Sequence, residues 1–249
     1  MGDGSRYEGP AFVLVHSPLL GPTCWFPVAH ELEDRGHRAV VPSLRGMADS
    51  AAPQWRYAVS AVRAELAEID SAVVLVTHGD ACRVLPAIGR YLPQEVLGRL
   101  FVDGCLPPEA GPGLLGSARF LAHVRSLIRE GADPHTSSLR HELPLQMGLE
   151  DRVVRGVIHG RARLPLSYYH DRVPMPQRWA DGRCAYLRLS EETGGESAAQ
   201  ARAYGWPTAA IRGAHHLSIV TDAEAVTAVL LDLASELSAS GFHGRAMSR

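Results

Sequence analysis

Lysine is absent from this chain: all 25 of its basic residues are arginines. A protein without lysine has no side-chain amine to form a Schiff base with a carbonyl substrate or with pyridoxal phosphate, and it has no P-loop lysine. The basic residues nearly balance the acidic ones, and the formal net charge is -2. Such a balance provides no electrostatic basis for binding nucleic acid or an anionic membrane surface. We therefore expect neither of these partners.

Cysteine is scarce, and long hydrophobic runs are missing. The four cysteines are far apart in the sequence and form no CxxC pair: Cys24, Cys82, Cys105 and Cys184. This spacing favours reduced, buried thiols over a disulfide framework or a zinc site. The first ten residues contain no apolar signal core, and no run approaches the roughly 18 apolar residues that a membrane span needs. We expect a cytoplasmic protein that does not associate with a membrane.

The pattern of apolar residues predicts an α/β domain. Short apolar strands alternate with amphipathic helices, and the strands are predicted at residues 11–15, 38–41, 73–76, 100–102, 185–189 and 207–211. This alternation is typical of a mostly parallel, doubly wound sheet that is covered by helices on both faces. The alternation stops between residues 109 and 178, where the sequence is mostly helical. We predict one domain over residues 1–249, with a helical lid inserted at 109–178.

The stretch at residues 73–82 carries the main functional signal. Val73–Val76 is an apolar, β-branched run, and the small and polar residues that follow lead into a predicted helix over Asp80–Tyr91. Pro86 is expected to kink or shorten this helix. A strand, a sharp turn and a helix in this order form a nucleophile elbow, in which a strained turn raises one side chain above the end of a parallel sheet.

This stretch resembles the elbow of the α/β-hydrolase superfamily, in which a small residue, His, Ser, any residue and two glycines follow the strand. Aligned from the strand, His78 matches the histidine and Gly79 falls on the serine, so the nucleophile is missing. If the alignment slips by one residue, Asp80 becomes the nucleophile, as in members that open epoxides or displace halides. Otherwise Asp80 begins the helix, where free backbone N–H groups and the helix dipole stabilise a carboxylate.

The loop after the first strand resembles the esterase and hydroxynitrile-lyase branch of the same superfamily. It runs from His16 through Cys24-Trp25 to a helix that ends at Gly36-His37. The resemblance implies that the second residue after the histidine donates a backbone N–H to the oxyanion hole, but that residue is Pro18, which has no N–H. Because one oxyanion donor contributes about 2.7–4 kcal/mol in acyl transfer, losing it together with the serine argues against a working esterase.

The resemblance also implies a catalytic histidine after the last strand and an acid before it in the sequence. The loop Gly213–His216 resembles the histidine loop; we predict His215 as the functional histidine and expect His216 to pack away from the site. Glu191 is the predicted acid that orients His215, with Glu192 as the alternative. Adjacent histidines without an HExxH spacing do not predict a metal site, and no cofactor motif is present.

The lid is expected to cover an apolar pocket above the elbow. The predicted substrate-binding residues belong to the first loop, the elbow and the lid: His16, Pro18, Leu19, His78, Gly79, Phe120, Met147, Tyr168 and Tyr169. Apolar pockets with few polar groups are the usual small-molecule sites. We expect the substrate to be a bulky apolar or polycyclic metabolite, and the protein to act as a monomer or homodimer.

Without a nucleophile, the remaining base and pocket suit reactions that depend on proton transfer and on holding the substrate in place. The chain resembles non-hydrolytic tailoring enzymes of actinobacterial polyketide and enediyne biosynthesis. That resemblance implies cofactor-independent cyclisation, carbon–carbon bond formation such as conjugate addition, or elimination, with His215 as base and with Asp80 and the lid tyrosines orienting the substrate. Two alternatives remain open at this point: a hydrolase that uses Asp80 as nucleophile, and a small-molecule-binding protein without catalysis.

Overall fold

The computed structural model describes residues 7, 9–50, 53–116, 118–131, 156–157 and 164–243. Within these ranges the strands are β1 (Ala11–Val15), β2 (Ala39–Val40), β3 (Val73–His78), β4 (Val96–Val102), β5 (Gly113–Leu114), β6 (Arg172–Val173), β7 (Cys184–Arg188) and β8 (Thr208–Ala210). The α-helices include α1 (Phe26–Asp34), α2 (Gln54–Glu65), α3 (Leu85–Tyr91), α4 (Ala118–Arg129), α5 (Leu166–His170), α6 (Glu191–Ala203), α7 (Ser218–Thr221) and α8 (Ala223–His243). None of the described helices is both long enough and apolar enough to cross a membrane.

Six of these strands form one parallel sheet in the order β2-β1-β3-β4-β7-β8, while β5 and β6 form a small antiparallel pair. Alternate side chains of β1 enter different layers. Ala11 and Val13 pack in the layer of α2, α3 and α6, whereas Phe12 and Leu14 pack in the layer of α1 and α8. Burial on both faces requires apolar side chains at every position, which is why these strands show no polar alternation.

The connection between β1 and β3 positions the site. From β1 the chain moves to β2 on one side and then returns to β3 on the other side of β1. Ligands of open parallel sheets bind at such a switch point, beyond the carboxyl ends of the strands. Ser17 follows β1, Gly79 follows β3 and Asp103 follows the neighbouring β4, so these three residues lie at the same edge of the sheet.

The predicted strands are all present, but the helix after β3 differs from the prediction. Residues 79–84 form a 3₁₀ helix, and α3 begins after it with Pro86 in its first turn, where proline removes no helical hydrogen bond. Helix α6 begins at Glu191. The Ser190 Oγ accepts a hydrogen bond from the Thr193 N–H at 3.2 Å, and this N-cap fixes the start of the helix.

The segment predicted as a lid is described only in part. Its described residues include β5, α4, α5 and β6. Leu115, Leu121 and Val124 are buried in the same apolar cluster as α2 and α3. A helical lid over 109–178 stays a prediction.

Candidate active site

Gly79 occupies the apex of the bend after β3. Its φ is 58°, in the left-handed region, and the 3₁₀ helix Gly79–Val84 starts at this residue. A strained backbone of this kind is what raises the nucleophile of an elbow above the sheet. Asp80 is the second residue of this helix and does not have a left-handed φ, so the backbone favours the alignment that places Gly79 at the elbow.

The space above Gly79 lies between the first loop and the last loop. A Cβ placed on Gly79 would lie 3.3 Å from the Cβ of Ser17 and 3.4 Å from Nε2 of His216. A serine at this position would therefore carry its hydroxyl next to an imidazole nitrogen. Instead, His216 Nε2 faces a residue that has no side chain.

A buried carboxylate holds the other ring nitrogen of His216. Nδ1 of His216 lies 2.8 Å from Oδ2 of Asp103, and both residues are buried. Burial by itself would raise the pKa of Asp103, but hydrogen bonds and charge from His216, with further hydrogen bonds from Thr193 and Ser190, outweigh it and lower the pKa to about 2. The ionised carboxylate keeps the proton of a neutral His216 on Nδ1, which leaves Nε2 free to accept one.

Asp103 is itself fixed by its surroundings. Its Oδ1 accepts hydrogen bonds from the N–H groups of Leu189 at 2.9 Å and Ser190 at 2.8 Å, and the Thr193 hydroxyl donates to Oδ2. Its φ of 45° is left-handed, a conformation that aspartate tolerates better than most residues. The carboxylate therefore cannot turn away without losing several hydrogen bonds.

The sequence-based choice of His215 is corrected by this geometry. The side chain of His215 lies against α7: its Nδ1 accepts the Leu217 N–H at 3.2 Å, and its Nε2 lies 3.3 Å from the Thr221 hydroxyl. Because adjacent side chains leave the loop in different directions, only one of the two histidines can face Gly79. That residue is His216, which was expected to pack elsewhere.

Glu191 is likewise not the partner of the histidine. It lies in the first turn of α6, is largely exposed and forms an ion pair with Arg188. Glu192 is also exposed. The Ser190 N-cap places both glutamates in the first turn of the helix, and the carboxylate that contacts His216 is that of Asp103. The sequence signal for Asp103 was an aspartate directly after a buried strand, at the edge where parallel strands end.

His78 and His16 support the site from below. The ring of His78 lies against that of His216, with centroids 4.2 Å apart and ring planes tilted by 35°, and its Nε2 lies 2.9 Å from the His216 carbonyl. Burial, followed by the charge of His216, lowers the pKa of His78 well below its usual value, so it is neutral and donates to that carbonyl. Nε2 of His16 accepts the Leu44 N–H at 2.9 Å, and its Nδ1 lies 2.8 Å from the Ser17 carbonyl. With both nitrogens engaged, His16 holds two loops together and has no ring nitrogen free for a ligand.

The first loop offers few donors for an oxyanion. Pro18 has no N–H, the Leu19 N–H points to the Ser17 hydroxyl at 3.3 Å, and the Leu20 N–H donates to the Ser17 carbonyl at 2.9 Å. Leu19 is buried in the apolar cluster of α2 and α3. The N–H of Asp80 lies in the first turn of the 3₁₀ helix, where backbone N–H groups lack helical partners.

The predicted lid contacts are only partly described. Tyr168 and Tyr169 are buried, and their rings meet edge to face with centroids 5.1 Å apart. The side chain of Phe120 and the whole of Met147 lie outside the described residues. Contact of these side chains with a ligand stays a prediction.

Thiol and metal chemistry have little support in the described ranges. The four cysteines are free, and burial raises the pKa of Cys82 to about 12 and that of Cys184 to about 11. Such thiols are not nucleophilic near neutral pH. The described parts of the chain contain no group of three or more His, Cys, Asp or Glu residues that could hold a metal ion.

Solved structures similar to this chain are α/β-hydrolases. An extracellular α/β-hydrolase from a Paenibacillus species, described as sharing structural and functional homology with tobacco salicylic acid binding protein 2, superposes with a TM-score of 0.69 at 14% identity over 90% of this chain and 98% of its own. A histidine-to-alanine variant of polyneuridine aldehyde esterase gives a TM-score of 0.67 at 16% identity over 91% and 99%. A histidine-to-alanine variant of tomato methylketone synthase I, complexed with β-ketoheptanoate, gives 0.67 at 15% identity over 94% and 100%.

The chain therefore has the α/β-hydrolase fold, as the elbow, the histidine loop and the parallel strands predicted. No family model matches the sequence. No curated protein matches it either. At these sequence identities the likeness establishes the fold and leaves the reaction to be argued from the site.

Proposed function

We propose that this protein is a cofactor-independent, non-hydrolytic enzyme in which His216 moves a proton to and from a small-molecule substrate. The observation that carries the proposal is the buried Asp103–His216 pair, whose free Nε2 faces Gly79. Two members of a hydrolytic triad have their working geometry here, while the third position holds no nucleophile. Such a site supports general base catalysis but not an acyl-enzyme.

The mechanism begins with His216 Nε2 taking a proton from the substrate. Asp103 stabilises the resulting imidazolium, as the acid of a triad does. The neutral ring of His78 supports the underside of His216 and adds no competing charge. The missing side chain at Gly79 leaves room for the substrate atom that carries the proton. A base held in this way contributes about a hundredfold to ten-thousandfold to the rate.

The proposed substrate is a bulky apolar metabolite with an acidic C–H next to a carbonyl group. Cyclisation, carbon–carbon bond formation and elimination in natural-product biosynthesis can each begin with removal of such a proton. The methylketone synthase variant supports this chemistry. It has the same fold, and it is complexed with β-ketoheptanoate, a compound with a C–H between two carbonyl groups.

The proposal is tested with 5-nitrobenzisoxazole, whose ring opens when a base removes one proton. We expect turnover by the wild-type protein and a loss of about a hundredfold or more in His216→Gln. Asp103→Asn should lose a similar factor, since an amide favours the wrong imidazole tautomer. His215→Gln and Glu191→Gln are matched controls, and both should keep close to wild-type activity.

Four results would contradict the proposal. Equal activity of His216→Gln and the wild type would exclude His216 as the general base. Hydrolysis of p-nitrophenyl esters by the wild type, lost in His216→Gln, would identify a hydrolase, and an ester trapped on Asp80 after incubation with an epoxide would identify the nucleophile of the alternative mechanism. Tight binding of a metabolite without turnover, unchanged in His216→Ala, would indicate a binding protein.

A further inference from the structure

The Asp80 carboxyl group lies next to Gly79 in the chain. It has no role in the proton transfer from carbon to His216 proposed above. Asp80 directly follows Gly79, and its Oδ2 is buried without a hydrogen-bond partner. Burial of a carboxylate oxygen without a partner is unfavourable unless the group is protonated or paired. A proton on the Asp80 carboxyl group, a ligand bound to it, or both would satisfy this oxygen.

Arg83, three residues later on the same 3₁₀ helix, is also incompletely satisfied. Its Nε is buried without a partner, while its Nη1 donates to the Leu114 carbonyl at 3.3 Å and so holds the guanidinium against β5. Asp80 and Arg83 do not form an ion pair, although both are described. Two unsatisfied groups of opposite character thus lie on the first turns of the helix that follows the bend.

Three groups from three elements act on the Asp80 carboxyl. Burial raises its pKa, while the positive charges of Arg83 on the same helix and of His216 on the last loop oppose that rise. Cys105, which follows β4, interacts electrostatically with both Asp80 and Arg83, and burial keeps it protonated. The carboxyl thus stays protonated to a higher pH than an exposed aspartate, with Arg83 near enough to stabilise it once the proton has left.

We infer that Asp80 is the acid that works opposite the base His216, and that the two bind the substrate as a ketone or keto acid. This inference rests on the proposed function. The Asp80 carboxyl binds the carbonyl oxygen, and His216 Nε2 faces the neighbouring C–H. As the C–H bond breaks, its proton goes to Nε2, its electron pair forms the C=C bond of an enol, and the carbonyl oxygen takes the proton of Asp80. The enzyme is left with an imidazolium and a carboxylate, and the enol reacts onward.

The first loop explains why a side-chain acid is needed at this point. In the esterase branch that the sequence resembles, a backbone N–H of this loop stabilises the negative oxygen. Here Pro18 has none, and the N–H groups of Leu19 and Leu20 are engaged by Ser17. A carboxyl proton from Asp80 replaces the missing donor, and Arg83 stabilises the charge that Asp80 then carries.

The test uses two probes that differ in the group that Asp80 serves. Exchange of the α-protons of 1-tetralone in D₂O, followed by NMR, needs both a base and an acid at the carbonyl oxygen. Ring opening of 5-nitrobenzisoxazole needs the base and involves no carbonyl. We expect Asp80→Asn, which keeps a hydrogen-bond donor but cannot transfer a proton, to lower tetralone exchange by about tenfold to a hundredfold and to change ring opening by less than about threefold. Asp34→Asn, an exposed substitution on α1, is the matched control.

The outcomes separate the inference from the proposed function. His216→Gln should abolish both reactions, and failure of the wild type in both contradicts the base and the acid together. Suppose that ring opening depends on His216. If Asp80→Asn then exchanges tetralone at the wild-type rate, or loses both reactions equally, Asp80 is not the acid, while His216 remains the base. Circular dichroism establishes that the variant is folded. If it is not, Asp80→Glu, which restores the proton at a slightly longer reach, should retain more tetralone exchange than Asp80→Ala, and equal loss in the two overturns the inference.

The pH profile gives a second readout, which a purely structural role would not affect. Because burial raises the pKa of Asp80, tetralone exchange in the wild type should fall at high pH as Asp80 loses its proton. Asp80→Asn should remove this fall. A fall that persists in Asp80→Asn would assign it to another group and overturn the inference.

Discussion

At the scale of single residues, the site depends on two glycines that do different work. Gly79 leaves the space beside His216 Nε2 empty, and its left-handed backbone forms the bend. Gly104 packs so closely on the carbonyl of Gly79 and on the Cys82 thiol that any side chain there would collide with both. Gly104 directly follows Asp103. The close packing of Gly104 on Gly79 therefore places Asp103 near the bend.

The first prediction concerns restoration of the missing nucleophile. Gly79→Ser should acquire a serine that reacts with fluorophosphonates, because its Cβ would lie 3.4 Å from His216 Nε2. The left-handed backbone disfavours a side chain, so the substitution should cost about 1–2 kcal/mol of folding free energy. Mass spectrometry of the labelled protein and urea denaturation measure the two effects.

The control for this prediction is Gly79→Ser combined with His216→Gln, which should not be labelled. Gly79→Ala should show the same loss of stability without labelling, which separates strain from reactivity. A serine variant that stays unlabelled while folded would show that the histidine is not poised above the bend.

At the scale of elements, the N-terminus of α6 is part of the site. Ser190 caps this helix through its hydroxyl, its own N–H binds Asp103, and Thr193 in the first turn donates to the same carboxylate. The helix end therefore stabilises the ionised Asp103 with hydrogen bonds and with the positive end of its dipole. The same cap turns Glu191 outward, which is why a plausible acid by sequence order lies on the surface.

The second prediction tests this cap. Ser190→Ala should lower the free energy of unfolding by about 1 kcal/mol, the usual cost of losing an N-cap side chain. Ser238→Ala is the control, because that exposed hydroxyl binds only the carbonyl of Ala234 within α8, and its loss should change stability by less than about 0.5 kcal/mol. Chemical denaturation at neutral pH measures both variants. Equal stabilities would mean that the Ser190 hydroxyl does not support the helix end.

At the scale of the whole molecule, neutral histidines are built into the interior. His16 and His78 are fully buried at the switch point of the sheet, and burial lowers the pKa of His16 to about 4. Below a pH of about 6.5 the unfolded chain binds a proton at such a histidine and the folded chain does not. Folding stability is therefore lost as the pH falls from about 6.5 to about 4.

The third prediction concerns the size of this loss of folding stability. His16 alone should remove about 2 kcal/mol of stability between pH 7 and pH 5, and His78 adds a loss of the same sign. Asp103 acts at lower pH: its lowered pKa means that its contribution is complete above about pH 4 and is lost as the pH approaches 2. Urea denaturation midpoints at pH 7, 6 and 5 measure the loss. A midpoint that does not change between pH 7 and pH 5 would contradict neutral buried histidines.

The sequence and the structure agree best where a local pattern repeats. Short, mostly apolar runs identified the strands of the parallel sheet, and the strand–turn–helix order of residues 73–91 placed the bend. They disagree at the partners of the site, because Asp103, Ser190 and His216 meet only through the packing of β4, β7 and the last loop. A choice between adjacent residues such as His215 and His216 depends on the direction of a loop, and that direction is set by α7.

The amino-acid sequence by itself determined the α/β class, the absence of lysine, and the presence of Gly79 after β3 and of Pro18 after β1, since each of these follows from residue identity or from the periodicity of burial. Only the tertiary structure decided which histidine faces Gly79, which carboxylate holds that histidine, and that Oδ2 of Asp80 and Nε of Arg83 are buried without a partner. The carboxylate and its histidine meet through hydrogen bonds between residues more than 80 positions apart, and no local pattern encodes such contacts.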